Sequence, residues 1–388
     1  MIKSEKRSIL KSTQNKFIKF DTKTYTMIAA LFSIWLIFAV FTGGSFFTFR
    51  NISNLFRQMS ITGILAIGMV FVIISGEIDL SVGSLMGLLG GIAAILNVWF
   101  GVNGILAIAI TLVLGLVFGL WNGWWIAYKK VPSFIVTLAG MLVFRGILIG
   151  VSKGSTVAPL TEDFKIIGEA YLPDSAGYVI AVLVMIAVSY IIINGRRSKE
   201  KYGLEVPSMA ADIVKIIGII ILIGVFIIVM NLYQGLPVPV LIMFILMGIF
   251  AFVASKTVYG RRIYAIGGNI DAARLSGINV NKTKLIIYAI NGLMAAIAGV
   301  LLTARLNAGS VAAGTNAELD AIASCVIGGA SLMGGVGSVG GALIGALIMA
   351  SIDNGMSMLN TQPFWQYIVK GLILLLAVWV DIASKDKN

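Results

Sequence analysis

Apolar runs of about twenty residues, separated by short polar stretches, recur from Tyr25 almost to the C-terminus. A helix that crosses a membrane needs roughly 17–25 apolar residues. Twelve runs approach that length: 25–42, 57–75, 79–98, 104–128, 134–150, 178–194, 213–230, 238–255, 284–304, 319–334, 342–360 and 364–382. The pattern predicts an all-α, polytopic transmembrane protein. Two runs depart from it. The 79–98 run opens on Asp79 and is rich in glycine, and the 319–334 run is short and carries Asp320 near its start. Both read as broken or re-entrant helices, which lowers the count of full crossings toward ten. No A-x-A cleavage site follows Tyr25–Phe41, so that run reads as an uncleaved first span.

Two glycine clusters look alike. Ser75–Leu88 reads SGEIDLSVGSLMGL and Gly328–Leu343 reads GGASLMGGVGSVGGAL. Matching interruptions in a helical membrane chain are a transporter feature, and small residues elsewhere in the spans allow close helix approach.

Composition sharpens the picture. Of 388 residues, 59% are hydrophobic and 12% charged, against about 25% charged in soluble domains. That excludes an ordinary cytosolic enzyme, a disordered chain and a secreted disulfide scaffold. The chain has no histidine and one cysteine, Cys325, which leaves no basis for a His-ligated metal, His-dependent catalysis or a Cys cluster. The nearest approach to a phosphate loop, Gly150–Thr156 (GVSKGST), has the wrong spacing. No catalytic or metal-binding residue is assigned, and a membrane-embedded enzyme is set aside.

The net charge of +12 reflects topology rather than nucleic-acid binding, because the charge alternates from loop to loop. Basic residues collect in 195–215, in 256–284 and at Lys129–Lys130, whereas 151–177 is acidic and 231–239 is uncharged. The positive-inside rule then predicts both termini in the cytoplasm. Residues 1–24 form a basic cytoplasmic segment, 25–382 a single transmembrane domain and 383–388 a cytoplasmic tail. Trp121, Trp124 and Trp125 beside Lys129 fit an interfacial aromatic belt. Arg50 and Arg57 fall on the outer side as exceptions.

Three constellations carry candidate chemistry. In the first, Glu77 and Asp79 lie between apolar runs, where a carboxylate has to be paired, capped or wetted. Asp79 is a candidate N-cap for a helix starting near Leu80, and Glu77, Asp79 and Ser81 are candidates for a substrate path. The second is the stretch Tyr259–Ile278, where Asn269 is placed to cap a short helix over 271–275 and Gly277 to stop it. A short helix on the cytoplasmic face has no anchoring use and reads as a docking element. The third is a scatter of polar groups inside spans: Asn122, Arg145, Asn291, Asp353, Asn354 and Lys370. Amides and carboxylates of this kind suit sugar hydroxyls, and Asn122, Asn291, Asp353 and Asn354 join the path candidates.

EIDLSVGSLMGLLGG, GRRIYAIGGN with AARLSGI, and GGVGSVGGALIGALIMASIDNGMSM with FWQYIVKG, in that order, resemble the permease subunit of bacterial sugar ABC importers over about residues 50–382. Within that family the chain is similar to the D-xylose type, through Glu77 and through a central segment, 178–230, that resembles an added pair of spans. The resemblance implies a multi-pass protein of the bacterial inner membrane, a pair of permease subunits in the lipid, and a periplasmic sugar-binding protein. It also implies a cytoplasmic ATPase with two nucleotide-binding cassettes, which holds the ATP and magnesium, so that this chain needs no cofactor. The family's coupling helix maps onto Asn269, Asp271, Ala272, Arg274, Ser276 and Gly277. The competing expectation is a proton-coupled sugar symporter in which Glu77 and Asp79 relay the proton.

Overall fold

The computed structural model describes residues 22–204, 206 and 208–385. The basic segment 1–21 and residues 386–388, expected at the cytoplasmic ends, lie outside the described residues.

Fifteen helices account for most of the described chain. They are α1 (Thr22–Phe41), α2 (Phe49–Ile74), α3 (Val82–Val98), α4 (Gly104–Ala127), α5 (Ser133–Val151), α6 (Glu162–Glu169), α7 (Asp174–Lys201) and α8 (Met209–Asn231), then α9 (Val238–Lys256), α10 (Val258–Gly268), α11 (Ile270–Leu275), α12 (Val280–Leu306), α13 (Ala317–Ile327), α14 (Val339–Met358) and α15 (Pro363–Lys385). Nine are long and apolar enough to cross a membrane, and the apolar stretch of α1 and all of α3 are somewhat shorter. The strands are a two-residue pair, β1 (Tyr171–Leu172) antiparallel to β2 (Leu236–Pro237), which clips two loops together.

Many helix starts follow from single polar residues. The side chains of Asn103, Ser208, Asn269, Asn279 and Ser338 each accept a hydrogen bond from a first-turn N–H, as N-caps do. The Gly104 N–H also donates to Asp163 Oδ2 at 2.6 Å. Hydrogen bonds from Thr161 and Gly104 hold the Asp163 carboxyl below its ordinary pKa.

The structure shifts two helix starts and adds helices in two loops, and it shows the 319–334 run broken as expected. The second helix begins at Phe49 rather than near 57, because hydrogen bonding continues into a polar turn that the apolar count does not see. The 79–98 run becomes helical only at Val82. The 319–334 run is not one span: α13 stops at Ile327, and Gly328–Ser338 runs on without regular structure to α14. The loops expected over 151–177 and 256–284 contain α6 and α10.

The core is built on α2, α12 and α14, whose apolar windows are mostly buried, whereas α7 and α8 are largely exposed and pack mainly on each other. Phe226 of α8 joins that pair to the core, edge-on to Phe56 of α2 at 4.9 Å. The tightest helix pair is α4 on α12. Gly115, Gly119 and Gly123 recur every four residues on one face of α4, and a Cβ at Gly119 would lie 2.3 Å from the Tyr288 carbonyl oxygen. Gly292 returns the fit, since its Cβ would meet the Gly115 carbonyl at 2.2 Å. Such small-residue faces let backbones touch where no hydrophobic force drives association.

Gly119→Leu should lower stability by about 1–3 kcal/mol, the usual cost of overpacking. Gly146→Leu, at a position where a Cβ meets nothing within 4 Å, should be near neutral. Thermal unfolding of the detergent-purified variants checks the difference.

Candidate functional site

The site begins where α2 ends. Residues 75–81 are not helical, so their backbone groups need partners from elsewhere. The Glu77 N–H returns to the Val72 carbonyl at 3.1 Å. Ser133 and Thr137 of α5 approach the backbone of Ile78, with the Ile78 N–H donating to Ser133 Oγ at 3.5 Å and Thr137 Oγ1 donating to the Ile78 carbonyl at 3.4 Å. The Ile74 carbonyl accepts from the Gly335 N–H at 2.8 Å.

Within this break the two carboxylates have different partners. Glu77 pairs with Lys284 of α12, both side chains being largely covered. Asp79 is 3% exposed. Its Oδ1 accepts from the Ser81 N–H at 2.7 Å and from the Ser81 hydroxyl at 2.6 Å, and its Oδ2 accepts from Asn291 Nδ2 at 2.8 Å. Asn122 Nδ2 of α4 donates to the Ser81 hydroxyl at 2.9 Å. Glu77, Asp79, Ser81, Asn122 and Asn291 are thus brought together, with α12 as the common wall. Lys284 and Asn291 lie seven residues apart in that helix and so share a face.

The expected bond from the Ser81 amide to an Asp79 oxygen is present, but the helix starts two residues later than expected. The N-cap of α3 is Ser81, and Asp79 closes a side-chain turn just before it. Gly68 of α2 leaves room for the amide, since a Cβ there would lie 2.5 Å from Asn291 Oδ1.

Asp353 and Asn354 lie elsewhere. Asn354 Oδ1 accepts from Asn51 Nδ2 at 2.9 Å. Lys370 of α15 bridges Asp320 of α13 and Asp353 of α14 at 2.9 Å each. One oxygen of each carboxylate, Oδ1, is buried and has no protein partner. Asp320 and Lys370 line a cleft of about 200 Å³ together with Asn316 and Tyr367. The rest of the cleft wall is largely apolar, with Leu319, Ala323, Met349 and Leu374.

Arg145 fixes the segment that leads into α13, donating to the Val311 carbonyl at 2.7 Å and the Ala313 carbonyl at 3.0 Å. Glu318, in the first turn of α13, is buried against the first turn of α3, where a Cβ at Gly83 would overlap its Oε2. The N-termini of the two interrupted helices therefore meet inside the bundle.

The first glycine cluster, Ser75–Leu88, spans the gap after α2 and the start of α3, and the second, Gly328–Leu343, spans the gap after α13 and the start of α14. The likeness between the two sequences thus corresponds to two interruptions, and these touch through Ile74 and Gly335.

The short helix expected over 271–275 is α11. Asn269 Oδ1 accepts from the Asp271 N–H at 3.1 Å and the Ala272 N–H at 2.9 Å, and Gly277 leaves the helix at φ +80°. Ala273 turns inward onto Ile266 and Val280, whereas Asp271, Arg274, Ser276 and Gly277 face outward. Leu275 is 90% exposed, and no packing within this chain accounts for it. In α10 just before it, burial raises the Tyr264 phenol, which stays protonated and donates to the Gly337 carbonyl at 2.7 Å.

Sequence reasoning missed three participants. Lys284 counted as loop charge, Glu318 carried no signal beyond a first-turn acid, and Asn51 fell in a stretch not read as helix. Arg57, expected as an outer exception, donates to the Gly168 carbonyl at 2.9 Å and to the Tyr171 hydroxyl at 3.1 Å. The proton-relay expectation gains no support, since Glu77 is ion-paired and both Asp79 oxygens are bonded.

An interrupted-helix bundle with a small capped helix beside the interruptions is the architecture of a transport permease. Residues 51–378 match the family described as "Branched-chain amino acid transport system / permease component", and the chain belongs to that family. It is a multi-pass membrane component of a transport system and not an enzyme. It is 58% identical to the xylose transport system permease protein XylH of Haemophilus influenzae over 95% of this chain and 98% of that protein. The Escherichia coli K12 protein of the same name is also 58% identical, over 95% of this chain and 94% of its own length. The Escherichia coli K12 ribose import permease protein RbsC is 38% identical over 87% of each chain. No solved structure matches.

Lys284→Met leaves Glu77 unpaired and should destabilise the folded chain by about 3 kcal/mol, whereas Glu77→Leu/Lys284→Met should recover most of that loss. A double-mutant cycle on detergent-phase unfolding measures it.

Proposed function

We propose that this chain is the membrane-spanning subunit of an ATP-driven importer that moves D-xylose from the periplasm to the cytoplasm. The observation that carries this reading is α11, a capped helix whose outer face, Asp271, Arg274, Leu275, Ser276 and Gly277, is exposed beside two interrupted helices. The identity to the two xylose permeases supplies the sugar.

In this reading α11 seats in a groove of a cytoplasmic ATPase with two cassettes, which binds ATP and magnesium. A periplasmic binding protein delivers xylose, and two copies of the permease enclose the path. The loops with Lys129–Lys130, 195–215 and 256–284 lie on the cytoplasmic side with both termini, as the loop charges favour. The 178–230 pair is an addition on the lipid-facing side, consistent with the exposure of α7 and α8. Asp353 with Asp320 and Lys370 supplies hydrogen bonds to the sugar hydroxyls. Glu77, Asp79, Ser81, Asn122 and Asn291 hold the first interruption in register beside the path. Nucleotide binding drives the transport cycle only through its different affinities for the outward-facing and inward-facing states.

Arg274→Glu and Leu275→Ala, both on the exposed face, should leave the fold intact and reduce co-purification of the ATPase at least tenfold. Equal recovery of the ATPase with wild type and variants contradicts the docking assignment.

A further inference from the structure

The end of α10 has no side-chain layer between it and the interruptions. A Cβ at Gly267 would lie 1.7 Å from the Ile74 carbonyl oxygen and 2.5 Å from the Gly335 nitrogen. These two atoms are already bonded to each other at 2.8 Å. A Cβ at Gly334 would lie 2.7 Å from the Gly267 carbonyl oxygen and 3.0 Å from Gly76 Cα. Three backbones therefore meet at one point: the end of α2, the loop before α14, and α10. Beyond Gly268, Asn269 starts α11. Helices α10 and α11 are tied by the cluster of Ile266, Ala273 and Val280, so α11 cannot shift freely of α10. The Tyr264 hydrogen bond to the Gly337 carbonyl adds a second tie from α10 to the same loop.

We infer that the Gly267–Ile74–Gly335 backbone junction is the mechanical link by which α11 moves both helix interruptions together, with Gly267 as its positioning residue. The inference rests on the importer reading given above. The physical reason is the absence of slack. Side chains between two elements can change rotamer and absorb a displacement, whereas backbones in direct contact pass it on. From Ile74 the path to the polar network is short, because Glu77 and Asp79 follow within five residues and are pinned to α12 through Lys284 and Asn291. A push on α11 thus reaches α2, α12 and α14 at once.

Gly268 supplies a matched control. A Cβ there meets nothing within 4 Å, although it is the adjacent residue in the same helix. The test uses proteoliposomes holding the complete complex of permease, ATPase and xylose-binding protein, and reads xylose taken up per ATP hydrolysed. Gly267→Ala should still assemble and hydrolyse ATP but move at least tenfold less xylose per ATP, while Gly268→Ala should keep the wild-type ratio. Tyr264→Phe, which removes one hydrogen bond and no volume of the junction, should lower the ratio several-fold, and it decides the matter if Gly267→Ala fails to assemble. A wild-type ratio in Gly267→Ala or in Tyr264→Phe, or equal loss in Gly267→Ala and Gly268→Ala, overturns the junction while leaving the importer standing. Wild-type vesicles that hydrolyse ATP but take up no xylose overturn the importer reading, and the junction with it.

Discussion

Helix α2 ends at Ile74 and α13 at Ile327, and the non-helical backbone that follows each finds hydrogen bonds inside the protein. A buried N–H or C=O left without a partner costs free energy comparable to a lost hydrogen bond, so this constraint shapes the packing around the interruptions. After α2 the solution is assembled from Asp79, Ser81, Ser133 and Thr137, with Asn122 and Asn291 tying the cluster to α4 and α12. After α13 it comes from within the loop, from Tyr264, and from the Ile74 carbonyl of the other interruption. The two gaps satisfy part of each other's demand, which is why they lie together.

The same constraint governs which residues are polar inside an otherwise apolar bundle. Asp79 is covered, and each of its carboxyl oxygens accepts a hydrogen bond. Glu77 needs a cation and finds it in Lys284. Asp320, Asp353 and Lys370 form a second charged group whose carboxylates each keep one buried oxygen unpaired. The Asp79 carboxyl is closed by hydrogen bonds within the protein, whereas the second group keeps one buried oxygen of each carboxylate without a protein partner.

Much of this was legible in the sequence, and the reasons for success and failure are physical. The spans were visible because a run of twenty apolar residues matches the thickness of a bilayer and is seldom needed for anything else. Helix α11 was visible residue by residue because Asn269 and Gly277 are local signals, and local signals survive any tertiary context. The interruptions were visible as glycine clusters, but their contact was not, since Ile74 and Gly335 lie far apart in the chain. Long-range partners were lost for the same reason: nothing near Lys284 points to Glu77, and nothing near Asn51 points to Asn354. Helix α10 was lost because its tyrosines, arginines and glycines dilute any periodic signal. The position of the first cap moved by two residues because Asp79 and Ser81 are both capping types, and only the fold decides which one starts the helix.

The central claim is that a partner's ATP, not an ion gradient acting on Glu77 and Asp79, moves sugar through this chain. The most direct measurement is labelled-xylose uptake into proteoliposomes containing the permease with its ATPase and binding protein. Uptake that requires ATP, stops with vanadate and persists in the presence of a protonophore is the predicted result. Uptake by the permease alone, driven by a pH gradient with no ATP present, would contradict the account.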